Sequence, residues 1–401
     1  MAQHDMVIDN GPGLTVRTDI NAAIQALVSC SSGAVEPATK YPGQLWLDTT
    51  VPPNGAIRQR NQANNAWIEP RLGPTPTQQT YSRVVNGAMQ ISQENGDTAS
   101  AGAASGSWYC ADQFLGTWSL SAGTVACARN SVLLPDGTAK VASLVTGAAV
   151  TSLAAASILF FVTRIEGVRV TDLQWGTAQA KQIILRFSTS VPAGTYSVAL
   201  QNSDQTRSYV AQWTQASAAW QTNTLVIPGD TTGAWLKDTG VGIHLAFTWA
   251  MGANFVGVTG WQAGSKYTAA GQVTSIAAGA GFYLTNVGLY ADPSTTGVPP
   301  PWQMPDYASE LAACKRYIQK LRMDLVATAG GAGQYYGATY PFPVEMRTAP
   351  ALNTGTDGTP TNVASTAFDS AATTMCRNFM SSTAGGTFGI SGRTGWANAR
   401  M

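Results

Sequence analysis

The sequence has few charged residues. Lys and Arg total 23 and Asp and Glu total 22, so 11% of the 401 residues are charged, against about 25% in an ordinary soluble protein. The formal net charge of +1 excludes the basic surface that nucleic-acid binders use to displace counterions from phosphates. The chain contains no run of 18 apolar residues, so we expect neither a transmembrane helix nor insertion into a membrane.

Residues suited to metal binding or nucleophilic catalysis are also scarce. The five cysteines form no C-x-x-C pair, and Cys110 and Cys127 are interpreted as buried free thiols, with a disulfide across a hairpin as the alternative. There are two histidines, His4 and His244, and calcium-type D-x-D-x-D clusters are lacking. We therefore expect no catalytic residue, no metal and no cofactor.

The abundant residues are those of strands and turns, with 41 Gly, 20 Pro and 12 Trp, and 44% of the chain is hydrophobic, which argues against disorder. The predicted fold class is mainly β. Its predicted parts are a small α+β N-terminal module (1–72), a linker (73–80), an antiparallel jelly-roll β-sandwich (81–292), a Pro-rich linker (293–305), one helix (306–322) and a C-terminal β tip domain (323–401).

The N-terminal module is predicted to hold one helix and a few strands. Thr18 or Asp19 would cap a helix that runs to about Ser29. Its apolar stripe, and the strand tryptophans that follow, are Ile20, Ile24, Leu27, Val28, Trp46 and Trp67. Some 70 residues bury only a marginal core, so such a module is expected to need a partner surface.

The helix after the Pro-rich linker shows apolar spacings of 4, 3, 4 and 3. Asp306 is its predicted N-cap, and the seam consists of Tyr307, Leu311, Cys314, Ile318 and Leu321. Two heptads are too short to hold a coiled coil alone. Packing of the helix on the neighbouring sandwich is therefore the preferred interpretation, and a seam in which three chains meet is compatible with it.

Three stretches resemble tail fibre proteins of tailed bacteriophages. In the N-terminal module they are Ala2-Gln-His-Asp5, Asn21-Ala-Ala-Ile24, Leu45-Trp-Leu-Asp-Thr-Thr50 and Arg60-Asn61 with Asn64-Asn65-Ala-Trp67. In the sandwich the resemblance begins at Val85-Asn-Gly-Ala-Met-Gln-Ile-Ser-Gln-Glu-Asn-Gly96, and its most specific stretch is Thr224-Leu-Val-Ile-Pro-Gly-Asp-Thr-Thr-Gly-Ala-Trp235. The third stretch comprises Glu310-Leu-Ala-Ala-Cys-Lys-Arg-Tyr317 and Pro341-Phe-Pro-Val-Glu-Met-Arg347.

This resemblance implies a homotrimeric virion fibre, assembled in the bacterial host cytoplasm. Its N-terminus would hold the phage tail through a baseplate or adaptor protein, with Ile20, Ile24, Leu27, Trp46 and Trp67 as attachment candidates. Its distal β domains would bind a bacterial surface glycan or lipopolysaccharide. A head- or collar-mounted fibre with a structural role is the alternative.

Glycan binding needs exposed aromatic rings beside amide, carboxylate or guanidinium groups. The candidates in the C-terminal domain are Tyr335, Tyr336, Tyr340, Asn353, Asp357, Arg393 and Trp396, although a trimer interface would explain the same residues. In the sandwich, Trp213, Trp220, Trp235 and Trp261 fall in or beside predicted loops, while Trp175, Trp235 and Trp249 are expected to fill the core.

A polysaccharide depolymerase is the second alternative. Glycoside hydrolysis needs two carboxylates about 5 to 10 Å apart in a cleft. The six glutamates are Glu36, Glu69, Glu94, Glu166, Glu310 and Glu345, and most aspartates fall in turns. We therefore expect that the chain is not an enzyme.

Overall fold

The computed structural model describes residues 3–8, 10–51, 55–69, 81–132, 134, 136–354, 358–369 and 371–401. The chain forms two compact units, Met1–Thr77 and Gln78–Met401. Strands dominate the described residues, which contain two α-helices. The prediction of a mainly β fold with antiparallel sheets is therefore confirmed. The predicted linker 73–80 lies outside the described residues.

The N-terminal unit consists of one helix and a three-stranded antiparallel sheet of order β1-β2-β3. Its elements are α1 (Gly13–Val28), β1 (Leu45–Asp48), β2 (Ala56–Arg60) and β3 (Trp67–Ile68). Trp46 is buried, and its ring lies 5.3 Å from that of Trp67 in an edge-to-face contact. Ala26 of α1 is buried as well.

Helix α1 begins earlier than predicted. Pro12 occupies its N-cap position, where the missing N–H of proline costs no hydrogen bond. Thr18 and Asp19 lie inside the helix rather than at its cap. The Thr18 hydroxyl donates to the Leu14 carbonyl (2.9 Å), and Asp19 pairs with the His4 ring (2.7 Å).

The second unit is built around a two-sheet sandwich. One sheet has the order β15-β11-β10-β13-β8-β5-β4 and the other β12-β9-β17-β7-β6; β14 and β16 form a short parallel pair. The strands are β4 (Ser105–Ala111), β5 (Phe114–Ser119), β6 (Val125–Ser131), β7 (Lys140–Thr146), β8 (Ile158–Glu166), β9 (Ile183–Ser190), β10 (Gly194–Gln201), β11 (Arg207–Gln215), β12 (Gln221–Ile227), β13 (Val241–Met251), β14 (Val256–Gly257), β15 (Gly260–Ala263), β16 (Thr268–Ala269) and β17 (Gly281–Ala291).

Inward-facing residues of both sheets meet in one aromatic core. The Phe282 ring of β17 lies 5.6 Å from Phe161 and 5.9 Å from Trp249, both on the opposite sheet. These three side chains are fully buried, and burial of one such ring contributes about 1.5–3 kcal/mol. Cys110 and Cys127 lie in this core as free thiols, as predicted.

The run with the most specific family resemblance forms a turn around a buried carboxylate. Asp230 accepts hydrogen bonds from the Arg207 guanidinium (2.8 Å) and from the Trp235 indole (3.1 Å). Trp235 packs edge-to-face on Trp175 (4.8 Å) and on Trp261 (5.6 Å). Asp230 thus closes one end of the sandwich core and has a structural role.

The C-terminal part of this unit contains one short helix and two further sheets. Its elements are α2 (Tyr307–Lys315), β18 (Ile318–Ala329), β19 (Tyr335–Pro341), β20 (Ala351–Thr354), β21 (Thr359–Thr361), β22 (Val363–Asp369), β23 (Met375–Ser382) and β24 (Gly386–Asn398). One sheet has the order β18-β24-β20, with β21 also paired to β24, and the other has the order β19-β23-β22.

The predicted helix 306–322 is wrong in its extent, because α2 ends at Lys315. Ile318 and Leu321 are strand residues of β18, where Leu321 and Met323 point inward while Lys320 and Arg322 are exposed. Cys314 is buried against Val85 and Ile91 of the same unit. The five residues therefore do not form one helical seam, and the helix packs on the sandwich.

A buried carboxylate connects the sandwich to α2 and β18. Glu166, at the end of β8, is 1% exposed. It accepts two hydrogen bonds from the Arg316 guanidinium (2.6 and 2.9 Å) and one from the Tyr317 hydroxyl (3.0 Å). Both partners lie between the end of α2 and the start of β18.

Within the described ranges, neither helix has the length and apolar character required to cross a bilayer. The described side chains also include no group of three or more His, Cys, Asp or Glu that could hold a metal ion.

Replacing Glu166 by Gln should lower the free energy of unfolding by about 2 kcal/mol, because it removes the carboxylate charge that pairs with Arg316 at this junction. The loss is smaller than the roughly 3–5 kcal/mol of a fully buried pair, since the Arg316 side chain is 32% exposed and keeps part of its hydration. Urea unfolding followed by tryptophan fluorescence measures this. The matched control is Asp97→Asn, which weakens a half-exposed network with Arg129 and Lys140 and should cost less than about 1 kcal/mol. Equal losses in the two variants would contradict a special role for Glu166.

Candidate functional site

An open groove of about 400 Å³ lies on the outer face of the five-stranded sheet. Its lining comes from the ends of three strands and from one loop, and consists of Asn130, Ser131, Val132, Ser190, Trp220 and Tyr283. We call it the Trp220 groove. It combines two aromatic rings with one amide and two hydroxyl groups.

The pleat of β17 places the Tyr283 ring in this groove. Phe282 and Leu284 point into the core, so Tyr283 between them faces outward. Tyr283 lies opposite Ser190 of β9 and Ser143 of β7, which gives a row of hydroxyl groups beside the ring. The Asn130 amide donates to the Ser143 hydroxyl (2.9 Å), which orients the amide at the groove edge.

Gly281 allows the Tyr283 ring to lie flat along its strand. A Cβ atom at Gly281 would come within 2.4 Å of the ring, closer than two carbon atoms can approach. The ring therefore lies over the glycine backbone and exposes its other face. Any larger residue at position 281 would displace it.

The loop that carries Trp220 is fixed by side-chain hydrogen bonds to its backbone. The Ser190 hydroxyl donates to the Ala218 carbonyl (2.7 Å), and the Gln215 amide donates to the carbonyls of Ser217 (2.9 Å) and Ala219 (2.8 Å). Trp220 follows this loop directly and stays partly exposed. Its position is thus set before any ligand arrives.

The described residues that line the groove carry no charged side chain. Lys140 lies at its border, but its ammonium group is paired with Asp97 (2.6 Å) and donates to the Ser131 hydroxyl (2.8 Å). Two rings with hydroxyl and amide groups between them suit a ligand that has apolar ring faces and uncharged hydroxyls.

The predicted C-terminal candidates do not form one site. Tyr335 is 71% exposed and lies 6.1 Å from Phe379 on one face of its sheet. Tyr336 points to the other face, where its ring packs on Phe388 (5.5 Å). The Tyr340 hydroxyl donates to the Asp324 carbonyl (3.0 Å).

Arg393 is a correction to the prediction, since it is fully buried. Its guanidinium donates to Thr366 and Asn378 and stacks 4.2 Å from the Phe368 ring centre, because it lies on the inward face of β24. Asn353 and Trp396 do come together, directly opposite each other on β20 and β24. Asp357 lies outside the described residues.

The sandwich tryptophans divide between core and surface. Trp175, Trp235 and Trp249 are buried, as expected, and so is Trp213. The Trp261 indole donates to the Pro228 carbonyl (2.9 Å), and its ring lies 5.3 Å from that of Trp175 in an edge-to-face contact. Of the tryptophans predicted to lie in or beside loops, Trp220 lines the Trp220 groove.

Tyr283 and Ser190 were not predicted as site residues. The alternation in Gly281-Phe-Tyr-Leu-Thr assigns Tyr283 to the outer face, so that part of the signal is present in the sequence. The pairing of β17 with β9, which brings Ser190 beside it, joins segments almost 100 residues apart and has no local signal.

The predicted attachment residues also separate into two groups. Ile20, Ile24 and Leu27 are exposed on α1, by 41%, 51% and 67%. Trp46 is buried, which corrects its assignment to a surface. The Trp67 indole donates to the Glu36 carboxylate (2.6 Å). Three of the five candidates therefore form an exposed apolar surface on α1.

His244 lies on the outer face of the seven-stranded sheet, as its alternation predicts, and is 9% exposed. Burial, together with the neighbouring Arg164 cation, lowers the pKa of His244 to about 4, against an opposing hydrogen bond with the Ser203 backbone. The imidazole is therefore neutral at pH 7.

No protein-family profile matches the chain, and no curated protein matches it. Similar solved structures include the enzymatically active domain of tailspike protein 4 of bacteriophage CBA120 (10% identity, TM-score 0.28), which covers 54% of this chain and 22% of the tailspike chain. A carbohydrate-binding module of family 4 shows 16% identity and a TM-score of 0.26, over 52% of this chain and 99% of the module. The CBM22-1–GH10 modules of Clostridium thermocellum endo-1,4-β-D-xylanase 10B show 8% identity and a TM-score of 0.24, over 42% and 25%.

These neighbours correct one expectation. The similar structures include an enzymatically active tailspike domain and modules of a xylanase. This finding contradicts the sequence-based prediction that the chain is not an enzyme. That prediction is withdrawn. The chain spans about a fifth of the length of the tailspike chain that it matches.

The low pKa of His244 predicts how stability depends on pH. The unfolded chain binds a proton at His244 near pH 6.5 and the folded chain only near pH 4, so this contribution is complete above pH 6.5 and is lost as pH falls towards 4. The loss amounts to about 3 kcal/mol. His244→Gln should abolish it in urea unfolding measured at pH 7, 6, 5 and 4.

Thr214→Val, an uncharged substitution on β11 of the same sheet, is the control and should retain the wild-type pH dependence. If the wild type and His244→Gln lose stability in parallel between pH 7 and 4, the assignment to His244 is wrong.

Proposed function

We propose that the chain is a carbohydrate-binding fibre protein whose Trp220 groove holds an uncharged part of a surface glycan. The observation that carries the proposal is the pair of fixed, partly exposed rings, Trp220 and Tyr283, beside Asn130 and Ser190 in a groove whose described lining is uncharged. Aromatic faces stack on the apolar faces of sugar rings, and amide and hydroxyl groups orient the sugar hydroxyls.

The proposed biological setting is adsorption of a tailed phage to its bacterial host. The family-like stretches of the sequence support it, and so does the apolar exposed surface of α1, formed by Ile20, Ile24 and Leu27. That surface would hold a tail, baseplate or adaptor protein, and three copies of the chain would form the fibre. A light-scattering mass three times the 41.9 kDa of one chain tests the trimer.

Trp220→Ala and Tyr283→Ala should each weaken binding of isolated host surface polysaccharide about 10-fold, because each removes one stacking platform worth roughly 1.4 kcal/mol. Isothermal titration calorimetry of the full chain measures the loss. The matched control is Tyr307→Ala, which removes a 58% exposed ring from α2, away from the groove, and should bind as the wild type does.

The groove is not the glycan site if both groove variants keep wild-type affinity, or if Tyr307→Ala loses as much as they do. Unchanged thermal midpoints in all three variants establish that the fold is intact. Release of oligosaccharides during the titration would instead assign polysaccharide cleavage to the chain.

Ile24→Asp together with Leu27→Asp should greatly reduce incorporation of the fibre into particles. Burying two carboxylates against an apolar partner surface costs several kcal/mol, whereas both side chains are exposed in the chain itself. The fibre content of purified particles measures the effect. Val326→Asp, at an apolar residue that is 69% exposed in the second unit, is the control; normal incorporation of the α1 variant would exclude this attachment surface.

A further inference from the structure

The outer face of the β18-β24-β20 sheet presents a row of three side chains that suit a different ligand. Lys320 of β18 lies directly opposite Trp396 of β24, and Asn353 of β20 lies opposite the same Trp396. Directly opposite residues of antiparallel strands point to the same side of the sheet. Lys320 and Asn353 therefore flank the Trp396 indole on both sides.

The distances within this row fit a charged sugar site. The Lys320 ammonium lies 5.4 Å from the centre of the Trp396 ring, within range of a cation–π attraction. Trp396 is partly exposed, while Lys320 and Asn353 are exposed. An indole face, an ammonium donor and an amide thus meet on one open surface.

A second cation extends the row. Arg322 occupies the next outward position of β18, opposite Thr394, and its side chain is 76% exposed. The acid beside it is Asp324, at 3.9 Å, and that carboxylate also accepts the Gly392 N–H. Among the residues that the structure describes here, two cations, Lys320 and Arg322, lie beside one partly engaged carboxylate, that of Asp324.

The opposite side of the same strands fixes the row in place. Leu321, Met323 and Ala397 alternate with the row residues along β18 and β24 and are buried in the C-terminal core. A shift of one residue in register would turn this core outward. The outward residues are therefore held on a rigid sheet rather than on a loop.

We propose that the Lys320–Trp396–Asn353 row, extended by Arg322, binds saccharides that carry anionic groups. The indole stacks on the sugar ring, the two cations pair with carboxylate or phosphate oxygens, and the Asn353 amide bonds a hydroxyl. Lysine and arginine both form strong charge-assisted hydrogen bonds with such oxygens. This site is separate from the uncharged Trp220 groove and does not depend on it.

The test uses the full chain with Trp220→Ala, so that the groove does not contribute. Calorimetric titrations with trigalacturonate, glucose 6-phosphate and the neutral maltotriose are compared at 20 and 200 mM NaCl. We expect binding of one or both anionic probes, at least 5-fold weaker at the higher salt, and at least 10-fold weaker or no binding of maltotriose. Binding of trigalacturonate alone assigns carboxylates, binding of the phosphate alone assigns phosphates, and both together assign either anion.

Further substitutions locate the site. Lys320→Ala should weaken binding of the anionic probe 5- to 10-fold, Trp396→Ala at least 10-fold, and Lys320→Arg should restore most of the affinity. The matched control is Lys237→Ala, at an exposed lysine of the sandwich, which should have no effect. Thermal midpoints monitor folding, and Lys320→Ala changes only an exposed side chain.

The proposal is overturned if neither anionic probe binds, if maltotriose binds as tightly as they do, or if Lys320→Ala and Trp396→Ala keep the starting affinity. None of these results bears on the groove, which is tested separately by comparing Trp220→Ala and Tyr283→Ala with the wild type.

Discussion

The arrangement of the second unit depends on the buried carboxylate of Glu166. It lies at the end of β8, a central strand of the seven-stranded sheet, and its bonds to Arg316 and Tyr317 connect that sheet to the point where α2 ends and β18 begins. Burial and the adjacent carboxylate raise the pKa of Tyr317, so its hydroxyl remains protonated and donates. An unpaired charge at this place would be costly, which commits the chain to one path into the C-terminal sheets.

The two proposed ligand surfaces follow from the same rule of strand geometry. Alternate residues of β17 fill the aromatic core and leave Tyr283 outside, and alternate residues of β18 fill the C-terminal core and leave Lys320 outside. Each surface is therefore positioned by packing on the reverse side of its own sheet. Trp220 is the exception, because it follows a loop that hydrogen bonds from Ser190 and Gln215 hold in place.

Sequence reasoning predicted what depends on local periodicity and missed what depends on pairing. The strands of the sandwich and the outward face of His244 follow from alternation. The spacing from Tyr307 to Leu321 fits a helix, but Lys320, Leu321, Arg322 and Met323 also alternate as a strand, and tertiary pairing with β24 decides between them. Arg393 was predicted as a glycan-binding residue with an available guanidinium, but arginine can be buried where partners satisfy it. The hydrogen-bond partners that accommodate it come from β22 and β23, which only the fold brings near.

The two proposed surfaces differ in the forces that would attract a ligand. In the Trp220 groove, attraction comes from stacking and from the removal of apolar surface from water, which salt changes little. At Lys320 and Arg322, attraction to an anion is screened over about 10 Å at 0.1 M salt. A polymer that carries both neutral and anionic sugars would bind more tightly through a second, intramolecular contact only where its length lets one molecule reach both surfaces.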